Sequence, residues 1–479
     1  MKSPDPLLKR TIYIKQHGCQ RTGTNTMRLA LERNFHVPVL VNVLGWKHGP
    51  PTNWQSWMEK HAKNGEFVKA VRTPPRLINT HHRSEDLHRA MNEDRIKVLI
   101  CIKEPYQFAA SAYHHSGVRF GMGNTGMLQY YNDMYREWLE AFPEAFIMQC
   151  EWLDSKKMYQ AYDKWPEIAK DGFGSDFKKF DSKGIDHIVF SGMGGSGSIG
   201  DVISAILSKE DIHVSNVKGY HLPKTVDSNS LVVATSISGN TKETLAVLEK
   251  AQKTDAKIAV FSSGGMMQKF SETNNLFFQE ISMIHSPRAS FPKFLFSILN
   301  ILKEIIPIKK IDVEESISSL EITKNNIFSN NLTEENIALK LAKWIKEIPL
   351  IYYPWGLQSA AIRFKNSLQE NSKIHVITED VIESCHNDIV AWEINSKVQP
   401  ILIRGHDDHI KTIERWNILK DFFNEKGIKY FEIESVSGNI LSKIVNLIYL
   451  LDYSSIYHAV LNQIDPSPVN AIDFVKSRL

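Results

Sequence analysis

The chain has 479 residues, more than one hydrophobic core ordinarily organises, so two or three domains are expected. Its residues are 42% hydrophobic and 23% charged with a net charge of +3, which excludes a disordered polyelectrolyte and gives no reason to expect nucleic acid as a partner. No uninterrupted apolar run reaches the roughly 18 residues of a membrane span, and residues 1–10 carry no apolar leader core, so a cytoplasmic chain without membrane contact is expected. Its cysteines (Cys19, Cys101, Cys150, Cys385) are scattered without metal spacing and read as reduced thiols. In chain order, Thr11-Ile12-Tyr13-Ile14 reads as a short strand. It runs into His17-Gly18-Cys19-Gln20-Arg21-Thr22-Gly23-Thr24-Asn25-Thr26 and then a helical segment over 27–32. Gly18 and Gly23 have the spacing of a P-loop, whose backbone N–H groups cradle a phosphate. Thr24 stands where that motif needs lysine and Asn25 where it needs a metal-binding hydroxyl, so Mg²⁺-dependent γ-phosphate chemistry is not expected. Arg21 supplies a counter-charge for a bound phosphate.

A second apolar strand, Val98-Leu99-Ile100-Cys101-Ile102, ends in Lys103-Glu104-Pro105, with Ser111 on the segment that follows. This pattern over residues 10–153 is similar to the sulfotransferase-like branch of P-loop proteins. The resemblance implies a metal-free grip on the sulfate donor PAPS by Gly18, Arg21, Thr22, Gly23 and Thr24, with Lys103 and Ser111 on its 3′-phosphate. Trp46-Lys47-His48-Gly49 and His81-His82 lie where an acceptor base or ordinary surface histidines would sit. Residues 130–142 read as a packing helix, Ile147-Met148-Gln149 as a last strand, and a domain junction is placed near residue 157.

From Ile185 onward apolar, β-branched runs alternate with helical patterns: 188–190, 231–235, 258–261 and 277–278, then 350–353, 374–376, 398–403 and 430–433. This is the rhythm of a parallel sheet covered on both faces. Residues 294–306 read as an apolar helix, and 309–331 as a polar linker or exposed helix. The first strand opens into Gly192-Met193-Gly194-Gly195-Ser196-Gly197-Ser198 and the second into Ser236-Ile237-Ser238-Gly239-Asn240-Thr241. A strand that ends in glycines and hydroxyls and then starts a helix is an anion site. Two of them point to a small phosphorylated ligand, the plainer alternative being a pair of tight turns.

These stretches, with Pro287-Arg288-Ala289, Glu370-Asn371-Ser372-Lys373, His386-Asn387 and Asp465-Pro466-Ser467-Pro468-Val469 ahead of Lys476, resemble the bifunctional phosphoglucose/phosphomannose isomerases of the sugar isomerase (SIS) group. The resemblance covers about 160–479. It implies an α/β chain in which a P-loop-type domain (1–157) precedes two doubly wound parallel-sheet SIS subdomains (158–320 and 321–479). It implies interconversion of glucose or mannose 6-phosphate with fructose 6-phosphate through an enediol, without a cofactor or metal. Ser196, Ser236, Ser238, Thr241 and Arg288 would hold the phosphate, Glu370 would carry the proton, and His386 and Lys476 would assist ring opening. A homodimer with His386 reaching the neighbouring copy's site is implied too. Ile382-Glu383-Ser384-Cys385 departs from the family's Pro-Glu before His386, which leaves the glucose or mannose preference open. The alternative is a sugar-phosphate-binding regulatory protein with a degenerate, non-catalytic P-loop domain.

Overall fold

The computed structural model divides the chain into two compact units, Met1–Leu153 and Asp154–Leu479. It describes strands within residues 1–153 and, beyond them, residues 154, 156–329, 331 and 333–478. In the first unit the strands are β1 (Tyr13–Gly18), β2 (Val39–Leu40), β3 (Phe67–Lys69), β4 (His81–Arg83), β5 (Ile96–Ile102) and β6 (Phe146–Gln149). A parallel sheet runs β2-β1-β5-β6. In it Gly18, the last residue of β1, stands opposite Cys101 near the end of β5. The strands that precede the two expected phosphate loops are therefore neighbours in the sheet. β3 and β4 form a separate antiparallel pair, which places His81 and His82 on a strand. Arg21, Thr22, Gly23, Thr24, Lys103 and Ser111, and the helices expected at 27–32 and 130–142, lie outside the described residues.

The second unit opens with α1 (Met158–Tyr162) and α2 (Trp165–Gly174), where sequence periodicity is weak and the helices are held by tertiary packing. Trp165 stacks on Tyr162 at 4.5 Å and on Tyr449 at 5.3 Å between ring centroids. The first sheet then builds from β7 (His187–Ser191), α3 (Gly194–Leu207), β8 (His213–Val217), β9 (Ser230–Ser236), α4 (Lys242–Ala251), β10 (Lys257–Ser262), α5 (Gly265–Thr273) and β11 (Phe277–Glu280). Its order is β11-β10-β9-β7-β8, all parallel. β7 and β9 are buried along their whole length, which is why they read as continuous apolar runs. β8 is an edge strand with much of its surface in solvent, and its weak pattern hid it from the sequence reading.

Three helices follow: α6 (Phe291–Ile301), α7 (Lys310–Ile327) and α8 (Ile337–Trp344). The second sheet comprises β12 (Ile348–Tyr353), α9 (Gln358–Ser367), β13 (Ile377–Asp380), α10 (Val381–Ser384), β14 (Val398–Arg404), α11 (Ile410–Glu425) and β15 (Phe431–Glu434). Its order, β13-β12-β14-β15, repeats that of the first sheet without the last strand. The chain closes with α12 (Ile440–Leu461) and the short α13 (Asn470–Lys476).

Three expectations are corrected. The strand expected at 374–376 begins three residues later, at Ile377. The apolar helix expected at 294–306 runs Phe291–Ile301, its start set by Pro292 in the first turn. The polar stretch 309–331, expected as a linker or an exposed helix, holds a helix with one covered face, because Val313, Leu320 and Ile327 form a buried stripe against α12. The division expected after residue 320 falls inside this continuous helix. One core cluster runs from Met158 through both sheets to Tyr457, so the halves share an interior. α12 is long and apolar enough to cross a membrane by length and composition, yet most of it is buried within that core.

Candidate active site

The order of the first sheet places its crevice. From β7 the chain crosses to β8 on one side, and from β9 to β10 on the other, so the loops after β7 and β9 diverge. Such a switch point, at the carboxyl ends of parallel strands, is where α/β sheets bind ligands. The two Gly/Ser stretches are these loops. They are stitched together by the Ile237 N–H, which donates to Ser196 Oγ at 3.1 Å. Ser236 Oγ accepts from the Gly239 N–H at 3.1 Å and lies 2.8 Å from Thr241 Oγ1. Ser238 is exposed at the mouth. Neither α3 nor α4 has a side-chain cap at its N-terminus, so their first N–H groups are left for an anion. Gly197 lets α3 approach β7, since a Cβ there would lie 2.7 Å from the Gly192 carbonyl oxygen.

Glu370 lies on a different element. α9 ends at Ser367 and continues as a π-turn, Leu368–Ser372, which closes at Lys373 with φ of 59°. Such turns are rare and occur mostly at functional sites. Here the turn redirects Glu370, Asn371 and Ser372 relative to the α9 rows. Arg288 Nε pairs with Glu370 Oε2 at 3.1 Å. Arg288 Nη1 donates to Asn371 Oδ1 at 2.5 Å and to the Pro466 carbonyl at 3.1 Å, and Nη2 to the Ser467 carbonyl at 2.9 Å. Lys373 Nζ donates to the carbonyls of Glu370 and Asp465 at 2.7 and 3.1 Å. Asn371 and Ser372 are anchored on Ser455 of α12, each by a 2.8 Å bond. Three motifs more than 80 residues apart in the chain thus meet around one carboxylate.

Burial pushes the Glu370 carboxyl above its ordinary value, the cations Arg288 and Arg363 pull it back, and the Asp452 charge adds to the rise. A partly desolvated carboxylate held by a cation is suited to taking and returning a proton. Burial pushes the Lys373 ammonium down, and Arg288 adds to this.

Arg288 was expected to hold phosphate, but its guanidinium is spent on Glu370, Asn371 and the tail. His386 and Lys476 are exposed, and neither side chain bonds Glu370 or its neighbours among the described residues. No metal-binding cluster of three His, Cys, Asp or Glu occurs among the described residues.

The sequence reading missed the support beneath this cluster. Asp452 is fully buried and accepts from Arg363 Nε and Nη2 at 3.0 and 2.7 Å, from Tyr162 at 3.2 Å and from Ser367 at 2.6 Å. The Arg363 guanidinium stacks 4.2 Å from the Phe291 ring, and its Nη2 donates to the Arg288 carbonyl at 3.0 Å. The one carboxylate in the largely apolar run 444–460 was the available signal, since a buried charge needs a partner.

Family models bear on both units. Residues 183–275 match the SIS domain and 334–479 the bacterial phospho-glucose isomerase C-terminal SIS domain, while 17–169 match the sulfotransferase domain. The C-terminal domain of glucosamine-fructose-6-phosphate aminotransferase from Francisella tularensis shares the fold, with a TM-score of 0.50 at 17% identity, over 64% of this chain and 96% of that one. The second unit is thus an SIS-type α/β protein. The bifunctional phosphoglucose/phosphomannose isomerase of Caldicellulosiruptor bescii is 32% identical over 304 residues, 62% of this chain and 90% of that protein. Its counterpart in Thermoplasma acidophilum is 29% identical over 296 residues, 61% of this chain and 89% of that protein. The chain belongs to the bifunctional phosphoglucose/phosphomannose isomerase family, and the match to the sulfotransferase domain model precedes its isomerase region.

Proposed function

We propose that residues 154–479 interconvert fructose 6-phosphate with glucose 6-phosphate and mannose 6-phosphate. The carrying observation is the meeting of Arg288, Glu370-Asn371 and the 465–467 tail, on the side of the α3 loop where Gly195 neighbours Pro287. Ser196, Ser236, Ser238 and Thr241, with the free N–H groups of α3 and α4, take the phosphate. His386, brought by a second copy in a homodimer, and Lys476 open the ring by moving a proton from the anomeric hydroxyl to the ring oxygen. Glu370 then removes the proton at C2 of the aldose and a proton passes from O2 to O1, giving an enediol-type intermediate, after which Glu370 returns its proton to C1 to give the ketose. The enediol is planar at C2, and turning it about the C2–C3 bond presents its other face to the same carboxylate, so proton return yields glucose or mannose. One base therefore serves both epimers, and no cofactor enters the scheme. A purely regulatory reading is disfavoured, because a sensor needs the serines but not a carboxylate held over an arginine. The test is purified full-length chain with fructose 6-phosphate, with both aldose phosphates expected. Formation of neither would overturn the proposal.

For the first unit the proposed ligand is PAPS. β1 and β5 are adjacent with their ends in register, so loops after Gly18 and Ile102 can hold the two ends of one nucleotide. A sulfated acceptor and a cytoplasmic setting belong to the same proposal.

A further inference from the structure

With Arg288 bonded to Glu370, Asn371 and the tail, and Lys218 beside Gly197 paired with Asp201 at 2.6 Å, a side-chain cation for the phosphate has to come from elsewhere. Arg363 has one to give. It is 2% exposed, and its Nε and Nη2 are spent on Asp452 and the Arg288 carbonyl. Its Nη1 has no hydrogen-bond partner among the described residues, yet it is not sealed among buried atoms. It faces Gly195, in the first turn of α3. A Cβ built on Gly195 would lie 3.9 Å from Nη1 and 3.5 Å from the Pro287 carbonyl oxygen. The glycine thus leaves open a space between the anion loop and two free guanidinium N–H groups. An arginine that is 2% exposed, with an Nη1 that meets no acceptor among the described residues, gains from a charged one. The two helix termini make the same region favourable to negative charge.

We infer that Arg363 is a substrate-binding residue whose Nη1 donates to the phosphate of the sugar phosphate. The inference rests on the isomerase reading for the sugar, but not for the phosphate. Asp452 fixes the guanidinium so that one edge is locked and the other presented. Because Nη2 also holds the Arg288 carbonyl, the phosphate grip and the support of Glu370 share one side chain.

The experiment is calorimetry with inorganic phosphate, together with KM and kcat for fructose 6-phosphate, on full-length protein. Arg363→Lys keeps a positive charge for Asp452 but loses the fork. The double change Arg363→Gln with Asp452→Asn leaves no unpaired buried charge and serves if the single variant does not fold. Asp452→Asn alone keeps Nη1. Loss of a charged hydrogen bond predicts phosphate Kd and KM raised about 10- to 100-fold in both Arg363 variants. Asp452→Asn keeps Nη1 but frees the locked edge, so it should weaken phosphate binding less than either Arg363 variant. The assignment is overturned if folded Arg363 variants bind phosphate like wild type or if wild type binds no phosphate. Arg363-dependent phosphate binding without isomerisation would remove the isomerase reading and leave this assignment standing.

Discussion

Glu370 shows how much one side chain depends on its setting. In sequence it stands near a helix end where a solvated glutamate would be unremarkable. In the fold it is drawn inward by a π-turn and paired with Arg288 at 3.1 Å. Glu370→Gln is expected to lower kcat about 10²- to 10⁴-fold, the usual loss for a general base. Sugar-phosphate binding by calorimetry should persist, and near-full turnover in this variant would remove Glu370 from the role. Burial raises this carboxyl above the ordinary glutamate value of 4.5. Its base form is therefore lost as pH falls through a point above that value, so the acid limb of kcat/KM should lie above the usual glutamate range. The folded state binds this proton more tightly than the unfolded state. Stability should therefore fall as pH rises through the interval between the two values, and Gln at 370 should remove that slope. A pH titration of kcat/KM, with melting curves alongside, reads both effects.

The loop between β9 and α4 is where local geometry and function are hardest to separate. Gly239 has φ of +69°, and a Cβ there would fall 1.8 Å from the Gly264 carbonyl oxygen. Its own carbonyl accepts from the Met267 N–H at 2.9 Å, which ties the loop to α5. Gly239→Ala is expected to cost about 1–3 kcal/mol of stability through strain at this conformation. It should also raise KM for the sugar phosphate, because Ser236, Ser238 and Thr241 are carried on the same turn. Gly184→Ala is the comparison: φ is +74° but nothing lies within 4 Å of the added Cβ. It should lower the melting temperature and leave KM alone. Equal KM values in the two variants would mean that the loop is scaffold only.

At the scale of the whole molecule, the two residues proposed for ring opening are on the outside. His386 and Lys476 are exposed, and α13 presents Phe474 and Val475 to solvent at 58% and 55% exposure. A homodimer in which a second copy brings His386 to Glu370 is expected. Specific activity should then fall on dilution in step with dissociation measured by light scattering, and a fully active monomer would defeat this. The first unit is expected to bind adenosine 3′,5′-bisphosphate without Mg²⁺ and not to hydrolyse ATP. Two separated phosphate grips suit a ligand with phosphate at both ends of one nucleoside, and Thr24 leaves a γ-phosphate without its lysine. Calorimetry with the bisphosphate and with ATP–Mg²⁺ checks it, and ATP turnover would sink the sulfotransferase-like reading.

The buried strands of both sheets and the two Gly/Ser loops were legible from residue order alone, because continuous β-branched runs and glycines that start helices encode local, short-range physics. So were Glu370 and the tail as motifs, through their resemblance to a family. The linkage among them was not legible. Nothing in the spacing says that Arg288 turns to Glu370 rather than to phosphate, or that Arg363 meets Asp452 across 89 residues of chain. Such pairings arise when α12 packs through the middle of the unit and a buried carboxylate must find its cation. They are consequences of long-range packing and desolvation, which no local pattern records.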